Sequence, residues 1–358
     1  MELKDIRQEI DAIDGELVQL FRRRMEAVAA VAEAKRGSGA AVLDAAREEA
    51  VLARVAALAG PDCAEDARQL FTALMAISRR RQSAQLAARA AGAEPPRPRD
   101  LVIGIRGLGL IGGSFEKAFR RAGYEVVDLK AASAEVIARC GLVVVCLPPL
   151  LVAPWICEHA ADFAEGAIVT DAAGVKGVVC PAVEAAAKGA RWTYVGGHPM
   201  AGKERSGYAN ADADLYRGAS MILTPFAGTP EAVLAKLKTL FAEIGFARFV
   251  VTDPAHHDEM IAYTSQLAHV VSSAYARDPL AGSHLGFSAG SFQDMTRVAT
   301  VDPDIWTDLF LSNGGPLESV LTRLIDRLCE YRSAIRGRDA GTLRRLLAEG
   351  RAAKEASC

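Results

Sequence analysis

The 358-residue chain has little of what would mark a secreted, metal-stapled or membrane protein. Its seven cysteines, Cys63, Cys140, Cys146, Cys157, Cys180, Cys329 and Cys358, are odd in number, scattered mostly through apolar stretches and never spaced C-x-x-C. That excludes a disulfide framework, argues against structural zinc so that no metal site is expected, and points to a reducing compartment. No apolar run approaches the ~18 residues of a membrane span, and the first residues are charged and helix-patterned where a signal peptide would be apolar. A soluble, cytoplasmic protein with no membrane partner is expected. Excess charge of one sign is also missing: 42 Lys and Arg stand against 44 Asp and Glu, a net charge of −2. Without a block of like charge, bulk attraction to nucleic acid is not expected. Internal repeats and low-complexity segments are absent.

What is present divides the chain into regions, and its length predicts two or three domains. Residues 1–90 are rich in Ala, Leu, Arg and Glu, contain Pro61 as their one proline, and carry helical periodicity almost throughout. Residues 91–100 (AGAEPPRPRD) collect three prolines and read as a linker. From 101 to 252, the runs LVIGI, EVVDL, LVVVCL, AIVT, TYVGG, SMILT and FARFVV alternate with helical patterns, which predicts a largely parallel, doubly wound sheet. Residues 253–358 return to long helices. The expected fold class is therefore an all-α domain, then an α/β Rossmann-type domain, then an all-α C-terminal domain.

In the first region, Ile6, Ile10, Ile13, Leu17, Leu20, Val28 and Val31 follow a 3.6-residue period, and Gly37-Ser38-Gly39 ends the run. A helix from Asp5 to Arg36, about 48 Å long, is implied. A unit of about 90 residues cannot enclose such a helix, so a second copy packing along it, a homodimer, is expected. On a helical wheel Arg24 and Lys35 fall inside the apolar stripe, and buried cations need carboxylate partners from the protein or from a ligand. Arg7 lies off to one side, toward a neighbouring protomer. Asp44 is an N-cap candidate for the next helix, with Arg47 and Glu48 on its first turn. Ser78 and Gln82 are i, i+4 neighbours on the third.

These residues, in IRQEID (6–11), RRRM (22–25), EAK (33–35), DAARE (44–48) and SRRRQ (78–82), resemble the helical chorismate mutase family. The resemblance implies that Arg7, Arg24, Arg47 and Lys35 are cationic binding positions and that Asp44, Glu48, Ser78 and Gln82 are polar ones. It also implies a pocket between intertwined protomers, with Arg7 given by the partner and chorismate as substrate. The rearrangement of chorismate is unimolecular, so catalysis consists of holding the reactive conformer and stabilising developing charge. Arginine forks suit the substrate's two carboxylates. Lys35 and Gln82 are implied to hydrogen-bond the ether oxygen as its bond breaks.

The segment LVIGIRGLGLIGGS (101–114) supplies a strand, then Gly107-x-Gly109-x-x-Gly112, then a helical run. This is the context that the dinucleotide fingerprint requires. Gly107, Leu108, Gly109, Leu110, Ile111 and Gly112 form the turn on which a pyrophosphate sits at the helix N-terminus. Asp128, about 20 residues on, is the ribose-reading candidate. It reads as lying inside the strand EVVDLK, which ends at Lys130. An acid at the strand end favours NAD, whereas Lys130 tolerates a 2′-phosphate, so the residues alone leave NAD and NADP open.

Ligands of a doubly wound sheet bind at the carboxyl ends of its strands. Those ends carry Gly107–Gly112, Pro148-Pro149, Asp171–Lys176 and Gly197-His198-Pro199, with Pro148 expected beside the cofactor. His198, in a Gly-flanked loop, is placed for proton transfer near a nicotinamide. TDAAGVKG (170–177), GGHPMAGKERSG (196–207), YTSQLAH (263–269) and MTRVATVDPDIW (295–306) resemble the prephenate dehydrogenase family, across residues 101–336. That resemblance implies NAD as cofactor and a helical dimerisation domain at the C-terminal end. It also implies that His198 accepts the substrate's hydroxyl proton, that Arg297 binds the ring carboxylate and that His269, Glu204 and Trp306 line the pocket. Lys203 has no firm role, and His256 and His257 read as helix-start residues without one. Two departures stand out. Gly174 replaces a serine that hydrogen-bonds the catalytic histidine in many members, and Gln266 stands where many have histidine. No C-terminal amino-acid-sensing domain is expected.

Together the resemblances imply a bifunctional enzyme of tyrosine biosynthesis that makes prephenate and oxidises it to 4-hydroxyphenylpyruvate. One rival takes arogenate as the dehydrogenase substrate, with the N-terminal unit as a dimerisation or regulatory module. Another makes the C-terminal part a ligand sensor that lost catalysis with the serine at 174.

Overall fold

A computed structural model describes the backbone of residues 3–38, 45–90, 99–203 and 205–356, and their side chains except at 3, 4, 29–47 and 79–90. Contacts divide the chain into two units, Met1–Arg97 and Pro98–Cys358.

The first unit is three helices: α1 (Leu3–Ser38), α2 (Ala45–Ala59) and α3 (Ala64–Ala90). Acidic residues occupy the first turn of each, Asp5, Glu48, and Glu65 with Asp66, where they complement the helix dipole. Gly60, at φ +76°, sits in the left-handed conformation that ends α2, and Pro61 follows. Met25, Val55 and Met75 form the buried interior. The apolar stripe nearer the start of α1 is different: Ile10, Ile13, Leu17 and Leu20 are 50, 50, 52 and 54% exposed. The helix is as long as its periodicity implies, and among the described residues the apolar face near its start stays about half exposed.

The second unit is built on seven strands: β1 (Arg99–Arg106), β2 (Tyr124–Asp128), β3 (Cys140–Val145), β4 (Ile168–Asp171), β5 (Thr193–Met200), β6 (Ser220–Pro225) and β7 (Arg248–Val251). Their order is β2-β1-β3-β4-β5-β6-β7, with every neighbouring pair parallel except β5 and β6. Each predicted run of β-rich sequence lies on one of these strands. Alternating residues of β3 enter opposite cores, Leu142 and Val144 on one face and Val143 and Val145 on the other. This is why its sequence is a continuous apolar run with no polar alternation. Arg99 and Asp100, read above as the end of a linker, already belong to β1. Arg99 is drawn in by an ion pair with Glu243 (3.0 Å) and by the Tyr124 ring beneath its guanidinium (5.0 Å to the centroid).

Helices α4 (Leu110–Arg121), α5 (Ala134–Ile137), α6 (Pro149–Glu158), α7 (Cys180–Ala187) and α8 (Glu231–Glu243) connect the strands. After β7 come α9 (Pro254–Ile261), a π-helical turn over Ala262–Gln266, α10 (Leu267–Ala276), α11 (Gly290–Thr296), α12 (Pro303–Ser312), α13 (Gly314–Arg336) and α14 (Ala340–Ala356). Two of these starts share one device, an aspartate N-cap followed by proline. Asp253 accepts from His256 N (2.9 Å), and Asp302 from Asp304 N (3.0 Å) and Ile305 N (3.2 Å). Among the described residues, no helix is long and apolar enough to cross a membrane.

Candidate active site

β1 delivers the chain to Gly107 at φ +100°, a conformation that L side chains rarely adopt. A Cβ there would collide with the Cys146 carbonyl oxygen, and one on Gly112 with the Gly107 carbonyl oxygen. On Gly109 it would meet no described atom within 4 Å. The first and third glycines therefore serve close packing, and the second faces open space above the start of α4. No side chain caps that helix, so its first N–H groups suit a phosphate. Ser114 is not available to such a ligand, since it donates to Leu110 O (2.7 Å) and accepts from Asp212 N (2.9 Å). Leu108 and Ile111 pack on the apolar core, while the uncharged, exposed Pro148 precedes α6 at the end of β3.

The structure corrects the reading of β2, which ends at Asp128 and not at Lys130. Asp128 pairs in register with Ile105, and its carboxylate then accepts Lys130 N (2.9 Å), turning the chain out of the sheet. A cavity of roughly 720 Å³ opens there, lined by Asp128, Lys130, Ala131, Ala132, Ser133 and Val136. An acidic residue thus stands at the strand end, the arrangement that suits an unphosphorylated ribose. Arg106, not singled out in the sequence, adds a second indication: its Nε is buried and has no hydrogen-bond partner among the described residues. A half-buried guanidinium beside the glycine turn fits an anionic cofactor.

The other strand ends form a polar cluster inside an apolar shell. Lys176 is fully buried, and its ammonium donates to Asp171 Oδ1 (2.5 Å) and Gly197 O (2.5 Å). Asp171 also accepts from Ala173 N (2.7 Å), the Tyr194 hydroxyl (2.6 Å) and Gly197 N (3.3 Å). The peptide groups of Gly197, the residue before His198, are therefore gripped through both nitrogen and oxygen by one buried ion pair. On β5, His198 Nδ1 lies 2.9 Å from His257 Nε2, and His257 Nδ1 lies 2.7 Å from Asp258 Oδ1. Asp258 in turn accepts the backbone N–H of Lys176 (2.7 Å) and Gly177 (2.6 Å). Burial first, then the Lys176 ammonium and His257, hold His198 well below the ordinary histidine pKa, so it is a neutral base at pH 7. A Cβ at Gly174 would sit 3.7 Å from His198 Nε2 and 3.8 Å from Leu309 Cδ2. The glycine leaves room beside the ring nitrogen, to which no described residue hydrogen-bonds.

His257 was read as a helix-start residue without a role, and the structure overturns that. It does lie in the first turn of α9, but it is buried and bonded to the candidate base. His256 keeps the plain reading. His269 and Trp306 come together, with ring centroids 3.7 Å apart and His269 Nδ1 donating to Val298 O (2.8 Å). Arg297, beside Val298, is exposed and makes no side-chain hydrogen bond or ion pair among the described residues. Gln266 is a brace: buried, it donates to Leu309 O (3.2 Å) and accepts from Asn313 (2.7 Å). Lys203 is taken up by Asp212 (2.9 Å), and Glu204 lies outside the described residues.

In the first unit, Arg24 reaches across from α1 to α3, where its Nη1 donates to Ser78 Oγ (2.5 Å) and Leu74 O (3.4 Å). The cation in the apolar stripe is thus met by a hydroxyl and a carbonyl, where a carboxylate was expected. Ser78 is buried, and Arg7 is exposed on α1. Glu48 is half-buried in the first turn of α2. Asp44 and the side chains of Lys35, Arg47 and Gln82 lie outside the described residues.

Comparison with known proteins assigns these regions. Residues 6–83 match chorismate mutase type II; 109–251 match the prephenate dehydrogenase nucleotide-binding domain; and 253–349 match the prephenate dehydrogenase dimerization domain. A probable prephenate dehydrogenase of Streptomyces niveus is 30% identical over 65% of this chain and 68% of its own. The chain belongs to the prephenate dehydrogenase family. It carries a chorismate mutase domain in addition, and the T-protein of Enterobacter agglomerans matches over both parts, 25% identical across 92% of this chain and 87% of its own. A cyclohexadienyl dehydrogenase of Zymomonas mobilis is 37% identical over 41% of the chain, which spans about half (52%) of that relative's length. Among solved structures, Synechocystis arogenate dehydrogenase superposes with a TM-score of 0.63 at 25% identity, covering 72% of this chain and all of that one. The Aquifex aeolicus prephenate dehydrogenase in complex with hydroxyphenyl propionate and NAD+ superposes with 0.58 at 26% identity, covering 72% and 98%.

Proposed function

We propose that the chain is a bifunctional enzyme. Its first unit rearranges chorismate to prephenate, and the remainder oxidises prephenate with loss of carbon dioxide to 4-hydroxyphenylpyruvate. The observation that carries the dehydrogenase half is His198: neutral, half-buried, occupied at Nδ1 and open at Nε2, at the strand ends of a dinucleotide fold. Bound NAD would supply the hydride acceptor, held by the Gly107–Gly112 turn and Asp128, with Arg106 and Pro148 beside it. The chain's own residues supply the rest. His198 takes the ring-hydroxyl proton at Nε2 as the C–H bond opposite the leaving carboxylate weakens. Arg297 meets the ring carboxylate with its free fork, Glu204 borders the same pocket, and the His269–Trp306 pair forms a rigid wall.

The mutase half needs no nucleophile. Arg24, oriented by Ser78, is one anchor for a carboxylate, and Arg7, Arg47, Asp44 and Glu48 complete the polar lining. Lys35 and Gln82 bond the ether oxygen in the transition state. The uncovered stripe of α1 and the dimerization domain support a homodimer, and the scattered free cysteines support a cytoplasmic setting. The name borne by the Synechocystis relative favours arogenate as the alternative dehydrogenase substrate.

The direct test follows absorbance at 340 nm with NAD from prephenate, arogenate and chorismate in turn, alongside ultraviolet loss of chorismate. Reduction from both prephenate and chorismate is expected. Chorismate loss without reduction from any substrate would reject the dehydrogenase. Arg24→Leu should lower mutase kcat/KM by about 10–100-fold, from the loss of one charge-assisted contact, and leave prephenate oxidation unchanged; equal loss in both would place Arg24 in folding rather than in the site. The pH dependence has a definite sign. Protonation at Nε2 removes the base, and the pKa of His198 is depressed, so the acid limb of dehydrogenase kcat/KM should fall below the ordinary histidine value of about 6.5. A limb at or above that value would contradict a desolvated His198.

A further inference from the structure

We propose that Asp258 and His257 act as positioning residues that fix His198 in the Nδ1–H form, leaving Nε2 as the open base, in place of the serine that Gly174 has replaced. This rests on the reading of His198 as the base, but its decisive test does not require turnover.

The direction of the chain follows from what each atom can do. Backbone N–H groups only donate, and Asp258 accepts one on each oxygen, from Lys176 on Oδ1 and from Gly177 on Oδ2. With both oxygens accepting, the carboxylate also accepts from His257, so His257 Nδ1 carries a hydrogen. In the neutral imidazole, the state in which His257 links the two groups, Nε2 then holds a lone pair. That lone pair faces His198 Nδ1 at 2.9 Å, so the hydrogen between the rings belongs to His198 Nδ1. The remaining nitrogen, Nε2, keeps its lone pair and looks into the space beside Gly174. A serine hydroxyl there would orient the ring from the reacting side. Here the ring is oriented from behind, and the reacting side is left to the substrate.

The same arrangement serves the protonated state. When Nε2 takes a proton, the Nδ1–H bond to His257 becomes charge-assisted and strengthens. Among the described residues, the Lys176 ammonium and His257 act on the ring, and Asp258 stands behind His257. The ammonium of Lys176 opposes the new charge, and the carboxylate of Asp258 compensates through His257. Asp258 also holds the 176–177 peptides of the segment that flanks Nε2, and its own carbonyl accepts from Asn313 (2.9 Å). One residue on α9 thereby sets both the tautomer of the base and the wall of the space it faces.

Long-range ¹H–¹⁵N spectra of the full-length, histidine-labelled protein read the tautomer directly. His198 is expected to show a protonated Nδ1 and an unprotonated Nε2, and to lose that preference in His257→Leu. Finding Nε2 protonated in the wild type overturns the proposal, whether or not prephenate is the substrate. In turnover, His257→Leu should lower dehydrogenase kcat by about 10–100-fold, the usual scale for an orienting partner, with KM within about two-fold. His257→Gln should recover most of that loss, because its amide oxygen can accept the Nδ1 hydrogen. A Leu variant with wild-type kcat, or a folded Gln variant as slow as Leu, would refute the relay. Should the Leu variant fail to fold, the wild-type tautomer and the Gln variant decide.

Discussion

His198→Asn is expected to lower kcat/KM for NAD-dependent prephenate oxidation by about 10²–10⁴-fold, equivalent to roughly 2.7–5.5 kcal/mol of transition-state stabilisation. Chorismate loss should not change, because the mutase residues lie in a separate unit of the chain. Asparagine preserves much of the local structure: its amide can donate to His257 Nε2 as the Nδ1–H does, and the Gly197 peptide remains gripped by Lys176 and Asp171. What it lacks is a lone pair basic enough to take the hydroxyl proton. The loss should therefore fall on kcat, with KM close to wild type, and the acid limb attributed to His198 should disappear from the pH profile. Initial rates at 340 nm across pH, with chorismate loss measured on the same preparation, check each part. Retained dehydrogenase activity would transfer the proton to another group. Loss of both activities would indicate misfolding and leave His198→Gln as the replacement to measure.

The architecture was legible because its signals are local and periodic. The apolar period of α1, the seven β-rich runs and the glycine turn each lie within about 35 consecutive residues, and helix, strands and turn occupy those places. The candidate site was legible only where one residue stands out locally, as His198 does before a proline at a strand end. His257 was missed because adjacent histidines in PAHHDEM look alike in sequence, while successive helical residues point about 100° apart. Only one of the two faces the base, and that base lies 59 positions away. No local signal separates the two, since α9 is polar at most positions and only the burial of His257 and Asp258 in the fold sets them apart from the exposed His256 and Glu259. Asp128 was misplaced by two residues for a related reason. Strand ends are set by pairing with β1, and nothing within EVVDLK marks where β1 stops. Gln266 stands where many members of the family have histidine; its ties to Leu309 and Asn313 show a side chain bracing α12 and α13 against the π-helical turn.

The largest stability effect should come from Lys176→Met. Removing one partner of a buried ion pair leaves the other charge uncompensated, at a cost of about 3–5 kcal/mol, whereas replacing both partners is often far less harmful. Lys176 and Asp171 are both fully buried, so solvent does not soften the loss. Methionine fills nearly the same volume, which keeps a cavity from confusing the result. Asp171 would retain Ala173 N, the Tyr194 hydroxyl and Gly197 N, but the Gly197 carbonyl would lose its donor. The three tryptophans, Trp155, Trp192 and Trp306, all lie in the second unit, so their fluorescence during urea unfolding reports on that unit alone. The midpoint should drop sharply for Lys176→Met and recover partly in Lys176→Met/Asp171→Asn, a non-additivity expected of groups in contact. Mutase activity at low urea should persist in both. An unchanged midpoint in the single variant would mean that the charge is relieved in some other way, and the grip on Gly197 would then have to come from Asp171 alone.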